Sequence, residues 1–286
     1  MRITFKKLFE CTIEEIIIAW NKGFEGYFVQ MEMTPALFFN RMVNEGLSYN
    51  HSIVAFDQEK PIAIVVNGVR MIDGKKTAWN GGTGIAIDYR GKGVSKLLME
   101  EVFNIYLEEN IEKATLEAIK ENERAIRLYK GFGYEIIDTL VYLSGTTETN
   151  IPEHTMFQTK SIRPEQLANY PFYQENVPWQ CQWQSAKSGE AQIYSDEAGQ
   201  PIGYTLFKKV WNQEGILEKV FLFQCKLLIE VSEEIMQAVF SSITGGESCP
   251  INVITINASL SNPVIQYLMN HGFKVTTKQV QMERKI

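Results

Sequence analysis

Only four cysteines and three histidines occur in 286 residues, and neither set is clustered. Cys11, Cys181, Cys225 and Cys249 are too far apart for a zinc spacing or a disulfide framework. His51, His154 and His271 pair with no cysteine or carboxylate at ligand spacing, so no metal is expected and the cysteines read as free thiols. No apolar run is long enough to cross a bilayer. After Lys6-Lys7 come Glu10, Glu14 and Glu15 where a signal peptide would need an apolar stretch, which points to the cytoplasm. Net positive charge is also missing: the value of −6 speaks against nucleic acid as the main partner and for cationic substrates.

Two familiar phosphate motifs are absent as well. Lys92 is followed by Gly93, not by the Ser or Thr of a P-loop. Gly82-Thr83-Gly84 and Gly131-Phe132-Gly133 each begin like a dinucleotide fingerprint and lack its third glycine.

What is present is an ordinary globular composition, 45% apolar and 22% charged, in a chain long enough for one large or two ordinary domains. The stretch Gly84-Ile85-Ala86-Ile87-Asp88-Tyr89-Arg90-Gly91-Lys92-Gly93-Val94-Ser95 runs from an apolar strand through a basic, glycine-rich turn into a helix. Val94, Leu97, Leu98, Val102 and Ile105 recur at helical spacing, which puts the turn at a helix N-terminus. There the first N–H groups lack intrahelical partners and the helix dipole favours an anion. Gly91 and Gly93 allow close approach to the main chain, and Arg90 and Lys92 add charge, so the turn reads as a pyrophosphate cradle.

Before it, a strand near Arg2 to Phe5 leads to helices carrying Ile13, Ile16, Ile17, Trp20 and Phe24 on one face and Leu37, Phe38 and Met42 on another, the second starting at Thr34-Pro35. Strands at Ser52–Phe56 and Ile62–Val69 flank a hairpin turn, and Asp73-Gly74 turns the chain into the strand bearing Gly81, Gly82 and Gly84. Glycines inside a strand mark a bulge or a close backbone approach. After the cradle helix, Ala114 to Ile119 alternates as a strand and Asn122 opens a helix ending near Gly131 or Gly133. Asn122, Ala125 and Tyr129 share one helix face; as pattern alone they are a cap and two core residues.

Two motifs together carry a resemblance. An apolar strand followed by Arg90-Gly91-Lys92-Gly93-Val94-Ser95 resembles motif A of the GNAT acetyltransferase superfamily, Arg/Gln-x-x-Gly-x-Gly/Ala. Ser95 replaces a small apolar residue, and Ile87 stands where many members have proline. Asn122-x-x-Ala125-x-x-x-Tyr129-x-x-x-Gly133-Tyr134 resembles the second GNAT signature, in the right order and with one helix and one strand between the two.

The resemblance implies acetyl-CoA as acetyl donor. The pyrophosphate would lie on Arg90, Gly91, Lys92, Gly93, Val94 and Ser95. Main-chain N–H groups of Ile85, Ala86 and Ile87 would polarise the thioester carbonyl, and Asn122 would contact the pantetheine or cap its helix. Tyr129 would be the acid for the leaving thiolate. For the base, Leu116-Glu117 matches a Leu-Glu dipeptide that N-terminal acetyltransferases of ribosomal proteins carry at this distance from their tyrosine. Glu117 as a structural strand residue stays open beside that reading, with Glu25 and Glu32 as competing bases. The segment holding Phe24, Tyr27, Phe28, Phe38 and Phe39 would line the acceptor pocket. The implied function is acetyl transfer to a small-molecule amine or a peptide N-terminus by direct attack in a ternary complex. A noncatalytic acyl-CoA sensor is the alternative; the oligomeric state is open.

The second half repeats the first at a shift of 140 positions: Pro61-Ile62 falls on Pro201-Ile202, Ile111 on Ile251, Ala118 on Ala258 and Asn122 on Asn262. The expected architecture is α/β (α+β), two tandem GNAT-like domains over 1–149 and 150–286, each a mixed, splayed, largely antiparallel sheet flanked by helices. Glu230-Val231-Ser232-Glu233 stands at the second cradle, where carboxylates would repel a pyrophosphate, so the second unit is expected to be a degenerate copy without cofactor.

Overall fold

The computed structural model describes residues 2–147, 157–246 and 250–286. His154, Cys249 and the boundary expected at 149/150 lie outside the described residues. Two compact units divide the chain: Met1–Ile137 with Val280–Ile286, and Asp138–Gln279. They do not coincide with the consecutive halves 1–149 and 150–286 expected from the sequence. The reason is burial: Val280 and Met282, near the C-terminus, sit in the core of the first unit.

In the first unit the chain runs through β1 (Ile3–Lys7), α1 (Ile13–Gly23), α2 (Pro35–Glu45), β2 (Ile53–Asp57), β3 (Lys60–Ile72), β4 (Lys75–Ile85), α3 (Val94–Glu108), β5 (Lys113–Ile119) and α4 (Glu123–Gly131), after which β6 (Glu135–Thr147) begins. Thr12 caps α1 in a capping box with Glu15, and Thr34 caps α2 ahead of Pro35, where the sequence puts its start. Ile16, Trp20 and Phe24 are buried, and so are Phe38 and Met42; Leu37, expected in the same stripe, is exposed. The sheet order is β1-β2-β3-β4-β5, antiparallel except for the β4–β5 pair, with the C-terminal residues beside β5. One core lies between the sheet and α3 and α4, a second between its other face and α1 and α2.

Two irregularities of β4 position the site. Opposite it on β3, Val66 pairs with Gly82 and Asn67 with Asn80, so Gly81 is the extra residue of a bulge. An added Cβ there would lie 2.6 Å from the Trp79 ring, and one on Gly84 would collide with Phe24 of the segment that follows α1. The glycines thus serve both uses read from the sequence. The parallel pairing of β4 with β5 stops at Asn80–Leu116, although both strands continue. Beyond that point the sheet is splayed.

In the second unit, after β6, come β7 (Gln158–Ile162), β8 (Glu190–Ser195), β9 (Pro201–Trp211), β10 (Leu217–Leu227), α5 (Glu233–Thr244), β11 (Ile251–Thr255), β12 (Ala258–Ser259), α6 (Pro263–Asn270) and β13 (Lys274–Lys285), whose end returns to the first unit. The order β7-β8-β9-β10-β11 matches that of the first unit, down to one parallel pair, β10–β11, and a bulge at Phe223 of β10. Each unit is a mostly antiparallel mixed sheet flanked by helices.

Candidate active site

The glycine-rich turn has the geometry that its sequence requires. β4 ends at Ile85, and Ile87–Tyr89 form a single 3-10 turn. Ile87 is therefore a turn residue, because the last ladder bond of this stretch is from Ala86 N–H to the Ile62 carbonyl. Gly91 (φ 78) and Gly93 (φ 83) lie in the left-handed region, and Gly93 is the N-cap of α3 with no side chain to take up the helix N–H groups. No heavy atom lies within 4 Å of where a Cβ on Gly93 would be, so the mouth of α3 is open. Val94 is buried below it and Ser95 half-buried.

Cations surround this mouth, though not all as the sequence suggests. Lys92 is exposed, its ammonium 5.8 Å from the centre of the Tyr89 ring. Arg90 turns away from the turn: Nε donates to the Ile85 carbonyl at 2.8 Å, and Nη2 to the carbonyls of Gly23 (3.0 Å) and Glu25 (2.8 Å). Its side chain ties the turn to the end of α1. Arg124, in the first turn of α4, comes within 3.8 Å of the Cβ position of Gly91 and supplies a cation that sequence reasoning missed.

In the splay, Glu117 on β5 is half-buried and its Oε2 accepts the Trp79 indole N–H at 2.6 Å. Tyr129, on the inner face of α4, is buried, and that burial pushes its hydroxyl up to about 12 while a hydrogen bond with Thr83 pulls it down. Tyr134 packs edge-on against Tyr129 with ring centres 5.9 Å apart. Asn122 caps α4, Oδ1 accepting from Ala125 N–H at 3.2 Å, and its side chain also meets the Tyr27 hydroxyl, which burial raises. Tyr27 and Phe24 line a cleft of about 390 Å³ with Glu25, Met31 and Glu32. Trp20 Nε1 and Asn21 pin that segment through the backbone of Met31 and Met33. Phe28 and Phe39 are exposed, and Phe24 and Phe38 are core.

Residues 14–134 match the Acetyltransferase (GNAT) family. Over that stretch, most of the N-terminal half, the chain is similar to the GNAT acetyltransferases. No curated protein matches the chain in sequence. Among solved structures, a tandem GNAT protein from the clavulanic acid biosynthesis pathway is 11% identical, with 99% of this chain covering 98% of that one and a TM-score of 0.61. A GCN5-related N-acetyltransferase from Sphaerobacter thermophilus is 10% identical (99% and 95% covered, TM-score 0.65), and one from Anabaena variabilis 17% identical (99% and 73%, TM-score 0.59). At these identities the likeness is one of fold.

The first unit brings together the open α3 mouth, Glu117, Tyr129 and Asn122 with the splayed β4–β5 pair. The second unit handles the same places differently. Ser232 caps α5, its hydroxyl accepting from Ile235 N–H at 3.3 Å, and Glu233 and Glu234 occupy the first turn. Its strands part after Leu222–Thr255, and there Cys181 Sγ donates to the Ile256 carbonyl at 2.9 Å while Gln224 Nε2 donates to the Cys181 carbonyl at 2.9 Å. Asn262 Nδ2 donates to the Cys225 carbonyl. Among the described residues no cluster of side chains could hold a metal, and no helix is long and apolar enough to cross a membrane.

Proposed function

We propose that the N-terminal half transfers the acetyl group of acetyl-CoA to an amine by direct attack in a ternary complex. The observation that carries this reading is the pairing, in one unit, of an uncapped helix mouth behind two left-handed glycines with a splayed β4–β5 pair bearing Glu117 and Tyr129. Acetyl-CoA, when bound, supplies the activated acetyl group and a thiol leaving group.

The chain's own residues would supply the rest. Gly91, Gly93, Val94 and Ser95 offer main-chain N–H groups and the α3 dipole to the pyrophosphate, with Lys92 and Arg124 adding charge. Arg90 braces the turn and does not reach the pyrophosphate, since its guanidinium is engaged with three carbonyls and its main-chain N–H with the Ile87 carbonyl. The main-chain N–H groups of Ile85, at the end of β4, and of Ile87, in the turn beyond it, polarise the carbonyl as charge develops on its oxygen, whereas that of Ala86, expected beside them, is spent on the Ile62 carbonyl. Glu117 takes the proton from the attacking amine and Tyr129 gives one to the departing sulfur. The cleft lined by Phe24, Tyr27 and Met31 holds the acceptor, and Glu25 and Glu32 favour a cationic one.

The second unit, with α5 capped by Ser232 and its strand gap bridged by Cys181 and Gln224, supports the reading of a degenerate copy that binds no cofactor. The test is CoA release from acetyl-CoA with a panel of polyamines, amino acids, aminoglycosides and peptides. Turnover with at least one amine, lost in Glu117→Gln and Tyr129→Phe, is expected; thioester hydrolysis indifferent to every amine would contradict it.

A further inference from the structure

Gly81 stands outside both described ladders of β4. It is the extra residue in the pairing with β3, and the parallel pairing with β5 ends before it, at Asn80–Leu116. A residue left out of its ladders has backbone groups that must be satisfied elsewhere. From within β4, Asn80 clasps the bulge: its Oδ1 accepts from Gly82 N–H at 3.1 Å and its Nδ2 donates to Thr83 Oγ1 at 2.9 Å. The Gly81 carbonyl accepts instead from Nη2 of Arg41, 40 positions earlier on α2, at 2.5 Å.

Arg41 is held tightly for this contact. Its Nε donates to Glu45 Oε2, one helical turn on, at 2.7 Å, and its guanidinium carbon lies 4.9 Å from the centre of the Trp20 ring. With two edges of the planar fork and one flat face engaged, the direction of Nη2 is fixed. The third edge is not satisfied: Nη1 is buried with no hydrogen-bond partner. Burying a donor without an acceptor is costly, so if the position only filled space between α2 and β4, methionine would serve it better.

What Arg41 holds is the floor beneath Trp79. A Cβ on Gly81 would lie 2.6 to 3.0 Å from three atoms of the six-membered part of the Trp79 indole, so that ring rests directly on the bulge. The five-membered part carries the N–H that Glu117 Oε2 accepts at 2.6 Å. Close packing passes a displacement of the bulge on to the ring, and the hydrogen bond passes it on to the carboxylate.

We propose that Arg41 is a positioning residue for Glu117, acting from α2 through the Gly81 carbonyl and the Trp79 ring. This rests on the reading of Glu117 as the base. The same guanidinium stacks on Trp20, whose Nε1 donates at 2.7 Å to the carbonyl of Met31 in the wall of the acceptor cleft. One side chain thereby stands between that wall and the base.

The test is a 1H–15N NMR spectrum of the full chain labelled at tryptophan, with the Trp79 indole resonance assigned by its loss in Trp79→Phe. In Arg41→Met the indole proton should move upfield, as in Glu117→Gln, where a neutral acceptor replaces the charged one, and its exchange with solvent should quicken at least about tenfold. Arg41→Lys, which keeps a donor for the Gly81 carbonyl, should restore part of both. Met42→Ala removes a buried side chain from the same turn of α2 and should leave the Trp79 signal in place. Arg41→Gln serves if the methionine variant does not fold. With any amine that is turned over, kcat of Arg41→Met should fall at least about tenfold while acetyl-CoA affinity stays near wild type. A wild-type Trp79 signal or wild-type kcat in Arg41→Met, or an equal displacement in Met42→Ala, overturns the proposal. The spectrum needs no turnover, so it separates the brace from the base assignment, which falls instead if Glu117→Gln turns over like wild type.

Discussion

The Trp79 indole N–H donates to Glu117 Oε2 across 2.6 Å, joining β4 to β5 at the point where their pairing ends. A carboxylate at the edge of a core with a neutral donor on one oxygen is held in a fixed orientation and keeps its ability to accept a proton. Glu117→Gln preserves size and removes the proposed base. Its kcat should fall about 10²-fold or more while acetyl-CoA affinity stays near wild type, measured by CoA release and by calorimetry. A fall in affinity with unchanged kcat would make Glu117 structural.

Trp79→Phe keeps an aromatic ring at this buried position and removes the N–H together with the five-membered part of the indole. Because a hydrogen bond to the charged form of an acid favours it, the low-pH limb of the kcat profile should move to higher pH in this variant. An unmoved limb would mean that the indole packs against Glu117 without tuning it.

How much of this was legible beforehand varies by residue. Strand and helix order, the caps at Thr34 and Asn122, and the left-handed glycines follow from periodicity and turn chemistry, which are local. The direction of Arg90 was not legible, because its partners are carbonyls of Gly23 and Glu25, more than sixty positions away. Trp79, Thr83, Arg124 and Tyr27 carried no motif; they matter through a bulge and a splay that only tertiary pairing creates. The exit of the last strand was hidden for the same reason: Val280 and Met282 alternate as any strand would, and nothing local says which core they enter.

That last strand makes a prediction about stability. Removing residues 280–286 takes Val280 and Met282 from the first core, breaks the Lys113–Glu283 ion pair and the bonds from Arg284 to Phe132 and from Ile286 to Glu112. Two apolar side chains lost from burial are worth on the order of 3 kcal/mol or more, so the first unit should melt at lower temperature and lose acetyl-CoA binding. A truncated chain with wild-type melting would show that the unit is complete without its C-terminus.

Alkaline pH should unfold the same unit. Burial holds Tyr106, Tyr129 and Tyr134 neutral, above the ordinary tyrosine value of 10.0, with Tyr129 at about 12. Below pH 10 both folded and unfolded chains keep these protons, and their stability contribution is fully present. As pH rises through 10 the unfolded chain ionises first, so stability falls by about 1.4 kcal/mol per pH unit for each group until its folded value is reached. Urea midpoints taken from about pH 9 to about pH 11 should drop, and less steeply in Tyr134→Phe, which removes one of the three groups. Equal slopes would place the titrating groups elsewhere.

The central claim is one acetyl-CoA per chain, held by the α3 mouth. It is tested most directly by calorimetric titration of acetyl-CoA into the full chain and into Lys92→Glu and Gly93→Val, which leave the Arg90 braces in place. The account predicts one-to-one binding to the wild type, weakened at least about tenfold by the reversed charge and by a β-branched residue at φ 83. No binding to the wild type, two sites per chain, or wild-type affinity in both variants would contradict it.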